Sequence, residues 1–477
     1  MKETIVLYPA FGSGHLMSMV ELGKLILTHH PSFSITILIL TPPNNKNNDS
    51  TTQYIASISN KFPSINFHFI PSISLTSTLP PHLQTLELSP HCNHHVHNIL
   101  QSFSKTTIIK GVILDFLNYS ASQVTNTLKI ATYFYFTSAA SMLSIALHFP
   151  TFHKNATKGI KDFDIDTPIE IPGLPTLFVD DYPDDGKDPT SPGYQILLEC
   201  TKAFRESDGI IVNTFEAFES KAIKALKDGS CVPDGTSPLI FCIGPVISTL
   251  YDTDEHQCMS WLDLQPRQSV VLLSFGSMGR FSKAQLNEIA LGLEKSKQRF
   301  LWVVRSELDL DDLSLDELLP EGFLERTKEK GMVVRNWAPQ RAILSHESVG
   351  GLVTHCGWNS ILEAICEGVP MITWPLYAEQ NLNRVILVKE TKIALKLNES
   401  ADKFVSASEL GERVIELMES DKGKNIRERI LKMKISANEA RGGNGSSLVD
   451  LKRLKDSWKE RDSYNELSPN SPFLIRE

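Results

Sequence analysis

Residues 337–380 read WAPQRAILSHESVGGLVTHCGWNSILEAICEGVPMITWPLYAEQ, and the middle of this stretch has the pattern of a parallel α/β protein. A short apolar run at Gly350–His355 predicts a buried strand, and Asn359–Glu367 has the length and pattern of a helix. Met371–Trp374 predicts a second buried strand. Strand, helix and strand in this order predict a parallel sheet with helices on both faces.

Further strand candidates lie on both sides of this unit and fall into two series. The first series comprises Thr4–Pro9, Ser34–Leu40, Ile65–Ile70, Gly111–Phe116, Ala131–Phe136 and Gly209–Asn213. The second series comprises Ser269–Phe275, Phe300–Arg305, Met332–Asn336, Gly350–His355 and Met371–Trp374. Helix-length stretches separate these runs, so the sequence predicts two doubly wound α/β domains. We place the first domain at residues 1–244, a polar, turn-rich linker at 245–266 and the second domain at 267–454.

The composition is that of a globular protein and excludes several other classes. The chain has 477 residues, 41% hydrophobic and 22% charged, which excludes wholesale disorder, collagen and coiled coils. A net charge of −9 argues against nucleic-acid binding, which needs a basic surface. Seven scattered cysteines without a CxxC pair indicate a reducing compartment. Since no long apolar signal or anchor segment occurs, we expect a cytoplasmic monomer without integral membrane association.

Two residues far apart in the sequence are predicted to meet at one edge of the first sheet. In open α/β sheets, ligands bind beyond the carboxyl ends of the strands, where the strand order reverses. With the order 3-2-1-4-5, that point lies between the first strand, followed by FGSGH (residues 11–15), and the fourth, whose end at residues 114–116 contains Asp115. His15 beside this carboxylate is a general-base arrangement, because the carboxylate fixes the tautomer and stabilises the imidazolium. The alternative is a helix-capping His15 and an Asp115 that bonds only backbone.

The second domain repeats this geometry with residues suited to a diphosphate. Its first strand leads into Ser277, and its fourth leads into HCGWNS (residues 355–360). Gly357 lets the backbone approach a ligand, and the residues after it begin a helix, whose free N–H groups and dipole favour an anion. His355 can donate a further hydrogen bond. The alternative is that Asn359 or Ser360 only caps the helix.

Other motifs in the chain are incomplete. Residues 12–14 (GSG) resemble the start of a dinucleotide fingerprint, but Met17 stands where the third glycine is required, so NAD binding is not expected. No GxxxxGK[ST] occurs, which excludes a P-loop kinase. A cluster of histidines lacks the spacing of a metalloenzyme and is interpreted as a solvated helix face: His91, His94, His95 and His97. The DxD-like run Asp162–Asp166 is interpreted as a surface loop, and no metal is expected.

Taken as a whole, residues 337–380 resemble the signature box of the plant secondary-product UDP-glycosyltransferases at all 44 positions. FGSGH, ILDF, YFTSAA and FGSM elsewhere agree with the same family, so the resemblance covers nearly the whole chain. It implies a GT-B fold, in which two Rossmann-like domains face each other and residues 455–477 cross back to the first. It also implies metal-independent transfer of a sugar, with inversion, from a UDP-sugar to a small lipophilic acceptor, with no permanently bound cofactor.

The resemblance assigns donor-binding roles position by position. Trp337 is expected to stack on uracil, unless it is a core residue. The remaining nucleoside contacts are assigned to Ala338 and Gln340 at the base or ribose and to Glu363 at the ribose hydroxyls. The diphosphate contacts are assigned to Ser277, His355, Asn359 and Ser360, with Gly14, Gly357 and the Trp358 backbone close to the donor. The sugar contacts are assigned to Tyr377, Glu379 and Gln380. Gln380 favours UDP-glucose, while UDP-galactose, UDP-xylose and UDP-rhamnose stay open.

The resemblance also implies a mechanism and an acceptor class. His15 removes the proton of an acceptor hydroxyl, and Asp115 balances the imidazolium. Candidate walls of the acceptor pocket, each of which can equally be ordinary core, are Phe11, Phe116, Phe136, Phe178 and Tyr182, with Tyr377 and Ala378 opposite. The chain is most similar to the legume branch that includes isoflavone and chalcone O-glucosyltransferases, so a phenolic flavonoid or isoflavonoid is expected.

The sequence leaves some alternatives to this function open and contradicts others. C-glucosyl transfer and other acceptors, such as terpenoids or simple phenols, are compatible with the same residues. An NAD(P) oxidoreductase is contradicted by the broken fingerprint at residues 12–17. A catalytically silent nucleotide-sugar binder is contradicted by the presence of both His15 and Asp115.

Overall fold

The computed structural model describes residues 2–40, 49–71, 73, 81–248, 256–307 and 312–467, which form two α/β halves. Residues 249–255 of the predicted linker and residues 468–477 of the predicted terminal segment lie outside the described residues. The exact domain boundaries therefore stay a prediction.

The first half is built on a sheet of seven parallel strands in the order β3-β2-β1-β4-β5-β6-β7. The strands are β1 (Glu3–Tyr8), β2 (Ser34–Leu40), β3 (Ile65–Ile70), β4 (Ile108–Asp115), β5 (Thr132–Phe136), β6 (Gly209–Val212) and β7 (Leu239–Cys242). This order contains the predicted 3-2-1-4-5 arrangement, with β1 beside β4. The edge strand β7 is absent from the prediction, because four residues at a sheet edge are too few to show a period.

Helices cover both faces of this sheet, and β1 is buried on both sides. The helices are α1 (Ser13–His29), α2 (Asp49–Lys61), α3 (Pro81–Phe103), α4 (Ser122–Thr127), α5 (Ala140–Asn155), α6 (Pro192–Arg205) and α7 (Ser220–Lys227), with a 3-10 helix at Phe116–Ala121. Ile5 and Leu7 pack in a core with α1 and α2, whereas Val6 and Tyr8 pack in a core with α3, α5 and α6. Burial on both faces explains why the sequence of this strand is a continuous apolar run without alternating polar residues.

The second half is built on a six-stranded parallel sheet in the order β10-β9-β8-β11-β12-β13. The strands are β8 (Val270–Ser274), β9 (Arg299–Val304), β10 (Gly331–Arg335), β11 (Val349–Thr354), β12 (Met371–Thr373) and β13 (Ala394–Lys396). Strands β8 and β11 are neighbours, which places a second point of reversed strand order between them. The three-residue strand β13 is absent from the prediction for the same reason as β7.

Helices also surround the second sheet, and the last helix leaves it. They are α8 (Gln257–Asp263), α9 (Lys283–Ser296), α10 (Leu315–Leu318), α11 (Phe323–Thr327), α12 (Gln340–Ser345), α13 (Trp358–Glu367), α14 (Gln380–Val385), a π-helix (Ile386–Glu390), α15 (Ala407–Glu419), α16 (Asp421–Arg441) and α17 (Ser446–Leu467). Helix α17 packs in the core of the first half through Leu451, Leu454 and Trp458, whose indole meets the ring of Phe33 edge-on at 5.6 Å. The chain thus returns to the half in which it started.

The two halves share a packed seam close to the point between β8 and β11 where the strand order reverses. We call this point the second switch point, and the corresponding point between β1 and β4 the first switch point. The Trp358 indole stacks on Phe218 at 5.4 Å, and its Nε1 donates to the carbonyl oxygen of Asn213 at 2.8 Å.

All seven cysteines are buried and free of disulfides. A search of the described helices finds none that is both long and apolar enough to cross a membrane.

Candidate active site

The first switch point brings His15 and Asp115 together, as the predicted strand order requires. β1 ends at Tyr8, and Gly12, with a φ of 124°, turns the chain into α1, so that His15 lies in the first turn of that helix. Asp115 is the last residue of β4. His15 Nδ1 lies 2.8 Å from Asp115 Oδ2, and the carboxylate is fully buried while 29% of the histidine side chain is exposed. Nδ1 is therefore tied to the protein, whereas Nε2 has no hydrogen bond to any residue that the structure describes.

The electrostatics of this pair favour a basic imidazole. Burial lowers the pKa of His15, but the charge of Asp115, its hydrogen bond and the charge of Glu379 outweigh burial and raise it above its usual value. Because a carboxylate only accepts hydrogen bonds, Nδ1 carries the proton, which leaves the lone pair of neutral His15 on Nε2. The other oxygen of Asp115 accepts from the backbone N–H of Leu117 at 3.1 Å, which fixes the carboxylate.

Asn118 joins the two chain segments that carry this pair. Its Nδ2 donates to the carbonyl oxygens of Tyr8 and Pro9, at 3.2 and 2.9 Å, at the end of β1. The side chain is fully buried, so these bonds are made away from water. The sequence analysis missed Asn118, although a polar residue three positions after Asp115 at the end of a buried strand was an available signal.

The second switch point is built around a neutral histidine. His355 follows β11 and lies between the backbones of two glycines: a Cβ atom at Gly276 or at Gly357 would lie 2.6 or 2.3 Å from His355 Nε2. Gly276 also has a φ of 72°. Burial lowers the pKa of His355 to about 4, against a smaller opposite effect of a hydrogen bond with the backbone of Ser274. His355 is therefore uncharged at neutral pH and can act only through hydrogen bonds.

Helix α13 begins at this point with an uncapped N-terminus. Gly357 occupies the N-cap position, and no side chain caps the helix. The alternative in which Asn359 or Ser360 caps the helix is therefore wrong, because both lie inside the first turn. Asn359 is exposed, whereas Ser360 is buried against Gln340. Ser277, on the turn after β8, is exposed, and its carbonyl oxygen accepts from Arg305 Nη1 at 2.9 Å.

Trp337 presents an open aromatic face beside this helix. Its side chain is 51% exposed, which overturns the alternative that it fills the core. The backbone of Asn336 has a φ of 63°, which turns the chain out of β10, and the ring of His256 meets the indole edge-on at 5.7 Å. The side chain of the next residue, Ala338, is buried in the core, so that only its backbone can meet a ligand.

Gln340 connects the residues around this face. Its Oε1 accepts from Ser274 Oγ at 2.6 Å, and its Nε2 lies 3.0 Å from Ser360 Oγ and 2.7 Å from Glu363 Oε2. Burial raises the pKa of Glu363, and the hydrogen bond from Gln340 partly opposes that effect. The sequence predicts a direct contact between Gln340 and the ligand. In the structure, the amide of Gln340 already bonds three protein side chains.

The start of α14 carries two polar residues assigned to a sugar: Glu379 at its N-cap position and Gln380 as its first residue. The carboxylate of Glu379 accepts from Ser138 Oγ of the first half at 2.8 Å. Gln380 is buried, and its Oε1 accepts from the backbone N–H groups of Leu376 and Tyr377 at 2.8 and 3.0 Å. The turn that leads into Glu379 uses Ala378, which has a φ of 55°. The sequence analysis missed Ser138, although it lies in the quoted YFTSAA segment.

The aromatic residues expected in an acceptor pocket divide into two groups. Phe11 is exposed, and Phe116 lies 6.1 Å from the ring of His15. Phe136 is buried behind Phe116 at 5.0 Å. The other two are part of the seam: Phe178 lies under Lys389 Nζ at 5.4 Å, and Tyr182 is buried in a core that includes Leu382. Tyr182 thus presents almost no surface to a ligand, because its ring is part of that core and packs near Phe152.

The histidines of α3 are at least partly accessible along that helix. His91 and His94 are exposed and His95 and His97 are partly buried along that helix. Among the residues that the structure describes, no three His, Cys, Asp or Glu side chains are grouped so as to hold a metal ion.

Comparison with known proteins agrees with this geometry. Residues 238–430 match the family described as UDP-glucoronosyl and UDP-glucosyl transferase. UDP-glycosyltransferase 1 of Pueraria montana var. lobata is 57% identical over 474 residues, 96% of this chain and all of that protein. Isoflavone 7-O-glucosyltransferase 1 of Glycine max is 57% identical over 478 residues, with the same coverage. Phytolacca americana UGT2, complexed with UDP-2fluoro-glucose and pterostilbene, superposes with a TM-score of 0.86 at 35% identity, over 96% of this chain and all of that one.

The chain belongs to the UDP-glycosyltransferase family. The resemblance and the GT-B fold inferred from the sequence are thereby confirmed, and the protein is a glycosyltransferase that uses a UDP-sugar donor. In this UDP-glycosyltransferase, the first switch point holds the His15–Asp115 pair and the second holds the uncapped end of α13. The roles of the individual residues stay predictions.

Proposed function

We propose that this UDP-glycosyltransferase moves glucose from UDP-glucose, with inversion, to a phenolic hydroxyl of an isoflavonoid or flavonoid. The observation that carries the proposal is the 2.8 Å contact between His15 Nδ1 and Asp115 Oδ2, which leaves Nε2 as the base beside Phe116. A phenol has a pKa of about 10 and is deprotonated by a single imidazole more readily than an alkanol. The 57% identity to isoflavone 7-O-glucosyltransferase 1 of Glycine max supports this acceptor class.

In the proposed mechanism, His15 Nε2 takes the proton of the acceptor hydroxyl while the hydroxyl oxygen attacks the anomeric carbon of glucose. Asp115 stabilises the imidazolium that forms. The bond from the anomeric carbon to UDP breaks on the opposite face, which inverts the anomeric configuration. The leaving diphosphate is held by neutral donors, namely the first-turn N–H groups of α13, the exposed Asn359 and neutral His355.

Gln380 supports glucose as the transferred sugar. Its Oε1 is occupied by two backbone N–H groups, so that Nε2 is the group offered to a sugar hydroxyl. Glu379 supplies a carboxylate acceptor from the adjacent position. An amide donor and a carboxylate acceptor side by side can bind neighbouring hydroxyls of a hexose.

The experiment that tests the proposal uses the purified full chain, UDP-glucose and a panel of isoflavones, flavones and chalcones. Mass spectrometry should show the gain of one hexosyl unit, and NMR of the product should show a β-linked O-glucoside. A C-linked product would replace the O-transfer with the C-glucosyl alternative, and an α-linked product would refute inversion. No transfer to any phenol of the panel would refute the acceptor class.

Two histidine variants connect turnover to the proposed base. His15→Ala should abolish transfer while UDP binding persists. His346 is a matched control, because its Nε2 also lies close to a carboxylate, 3.1 Å from Asp263 Oδ1. It precedes β11, so it lies at the amino ends of the strands of the second sheet and not at their carboxyl ends. His346→Ala should retain turnover. Retained turnover in His15→Ala would remove His15 from the mechanism.

A further inference from the structure

The indole of Trp358 belongs to the second half but is bound by the first. Its Nε1, a group that can only donate, bonds the carbonyl oxygen of Asn213 at 2.8 Å. Its ring stacks on Phe218 at 5.4 Å with 17° between the planes, and the residue is buried. Both partners lie in residues 213–219, which follow β6 and which we call the β6 loop. The side chain of the first residue of α13 is therefore occupied by the first half, while its backbone begins the helix.

Buried hydrogen bonds fix the β6 loop at its start. Asn213 Oδ1 accepts from the backbone N–H of Val246 at 2.7 Å, and its Nδ2 donates to the carbonyl oxygen of Val246 at 2.9 Å. Both residues are buried, so these bonds are made away from water. Asn213 thus bonds the chain that leaves the first half with its side chain and the Trp358 indole with its backbone.

Glu219 fixes the other end of the β6 loop to helix α5. Its carboxylate accepts from Thr214 Oγ1 at 2.6 Å within the loop, and from the backbone N–H groups of the first two residues of α5 at 2.8 and 2.9 Å. A carboxylate is favoured there, because the N-terminus of a helix carries unpaired N–H groups and positive partial charge. Ser138, which bonds Glu379 of the second half, lies two residues before this helix. The β6 loop therefore supports two contacts between the halves.

The β6 loop leaves the first sheet at the edge that carries the proposed base. β6 is parallel to β1 and β4 in this sheet, so the carboxyl ends of the three strands lie at one edge. Only β5 lies between β4 and β6, and neighbouring strands are about 4.8 Å apart, so the ends of β4 and β6 are about 10 Å apart. The end of β4 carries Asp115, which bonds His15. The Trp358 indole is thereby connected to His15 through the strands of one hydrogen-bonded sheet.

We propose that the Trp358 indole is a positioning group that fixes the uncapped start of α13 at a set distance from His15. The inference rests on the proposed function, in which this helix end holds the leaving diphosphate and His15 deprotonates the acceptor. The acceptor oxygen and the leaving group must be aligned across the anomeric carbon, and a misplacement of about 1 Å can cost about 10²-fold in rate. The indole acts on this alignment and not on donor binding, because it faces Asn213 and Phe218 of the first half.

The test is the exchange Trp358→Phe, which keeps an aromatic ring against Phe218 and removes the N–H that bonds Asn213. The kcat for transfer from UDP-glucose to a phenol should fall by about 10- to 100-fold. The Kd of UDP, measured by isothermal titration calorimetry, should change by less than about threefold, because the residues assigned to uracil, ribose and diphosphate all belong to the second half. A residue needed only for folding would not separate these two quantities.

Trp302→Phe is the matched control for the removal of an indole. Trp302 lies in β9 and is buried in the core of the second half, and its Nε1 has no hydrogen-bond partner among the residues that the structure describes. This exchange should lower the melting temperature and keep kcat, because Trp302 makes no contact with the β6 loop.

Thr214→Val tests the β6 loop from the side of the first half. The exchange keeps the shape of the side chain but removes the hydroxyl that bonds Glu219 at 2.6 Å, so that the loop is held less firmly. The kcat should fall while the Kd of UDP is kept. The double variant with Trp358→Phe should lose less than the product of the two single losses, because both exchanges act through one contact.

A pair of spin labels measures the placement of the two halves without catalysis. Lys105→Cys in the first half and Lys424→Cys in the second place labels at exposed positions, and all natural cysteines are buried. The distribution of distances between the labels should be broader in Trp358→Phe than in the natural protein, and unchanged in Trp302→Phe.

Each outcome decides the inference. It is overturned if Trp358→Phe keeps the natural kcat, if Trp302→Phe loses as much, or if the affinity for UDP falls as far as kcat. Should Trp358→Phe not fold, a natural kcat in Thr214→Val overturns it, and a lowered kcat with natural UDP affinity supports it. If the natural protein glucosylates no phenol, the proposed function is refuted instead, and the label distances alone decide: equal distributions in Trp358→Phe and the natural protein overturn the inference.

Discussion

The exchange Asp115→Asn separates the charge of this buried carboxylate from its shape. One oxygen lies 2.8 Å from His15 Nδ1, and the other accepts from Leu117 N at 3.1 Å. Asparagine can keep the second bond through its oxygen, which turns its NH₂ group toward Nδ1. Nδ1 must then accept, so the proton moves to Nε2 and the imidazole loses the lone pair that a base requires.

The expected loss of turnover follows from this change of tautomer. General-base catalysis contributes about 10² to 10⁴ in rate, and an Asp-to-Asn exchange behind a catalytic histidine costs about 10⁴ in a serine protease. We therefore expect kcat to fall by about 10² to 10⁴, which corresponds to about 3–5 kcal/mol of barrier. The Kd of UDP should change by less than about twofold, because Asp115 is assigned no contact with the donor.

The pH dependence of kcat tests the same prediction independently, because it shows the direction in which the pKa of His15 changes. A base acts only when unprotonated, so kcat rises with pH through the pKa of His15. Burial lowers that pKa, and the charge and hydrogen bond of Asp115 together with the charge of Glu379 outweigh burial and raise it. Without the carboxylate charge the lowering effect of burial prevails, so the acid limb of the remaining activity should move to lower pH.

The assay is product formation at saturating donor and acceptor, measured by chromatography between about pH 5 and pH 9, with thermal unfolding as the check on folding. Natural turnover in a folded Asp115→Asn protein would remove the carboxylate from the mechanism. A raised KM for UDP-glucose with unchanged kcat would make Asp115 a structural residue only.

Three other exchanges test the donor site and the architecture. Gln380→His should raise the ratio of kcat/KM for UDP-galactose over UDP-glucose, measured with both donors in competition; an unchanged ratio would separate Gln380 from sugar selection. Gly357→Ala places a Cβ 2.3 Å from His355 Nε2 and should cost about 1–3 kcal/mol of stability in a thermal melt. Gly14→Ala is the control and should not lower stability, because a Cβ at Gly14 would meet nothing within 4 Å. Equal melting points of the two variants would refute the clash at Gly357. Trp458→Ala should destabilise the first half by about 3–5 kcal/mol in urea, and unfolding of the second half alone would contradict the packing of α17.

The meeting of His15 and Asp115 could be predicted because it depends on backbone topology. Each residue lies at or just after the end of a strand with a strong apolar pattern, and the order of parallel strands is restricted to a few arrangements. Once the order places strands one and four side by side, the residues at their carboxyl ends must be neighbours. No side-chain rotamer enters that argument.

The side-chain contacts of Gln340 and the burial of Tyr182 could not be predicted in the same way. A motif assigns Gln340 to the nucleotide, but its engagement depends on Ser274 and Ser360, which reach it from other segments. The burial of Tyr182 depends on how distant segments pack in one core, and the Ser138–Glu379 bond depends on how the two halves pack; local sequence encodes neither. Aromatic residues in loops fit a pocket wall and a core equally well until that packing is known.

The return of α17 to the first half means that the chain passes between the halves twice. The first passage lies between β7 and α8, and the second is the turn at residues 442–445 between α16 and α17. Two chain connections tie the halves together more tightly than one, because a second connection closes a loop and lowers the entropy of separated arrangements. The His15–Asp115 pair lies within the first half, so it does not depend on how the two halves are placed. The Ser138–Glu379 bond joins the two halves, so its geometry does depend on their placement, which both connections restrict.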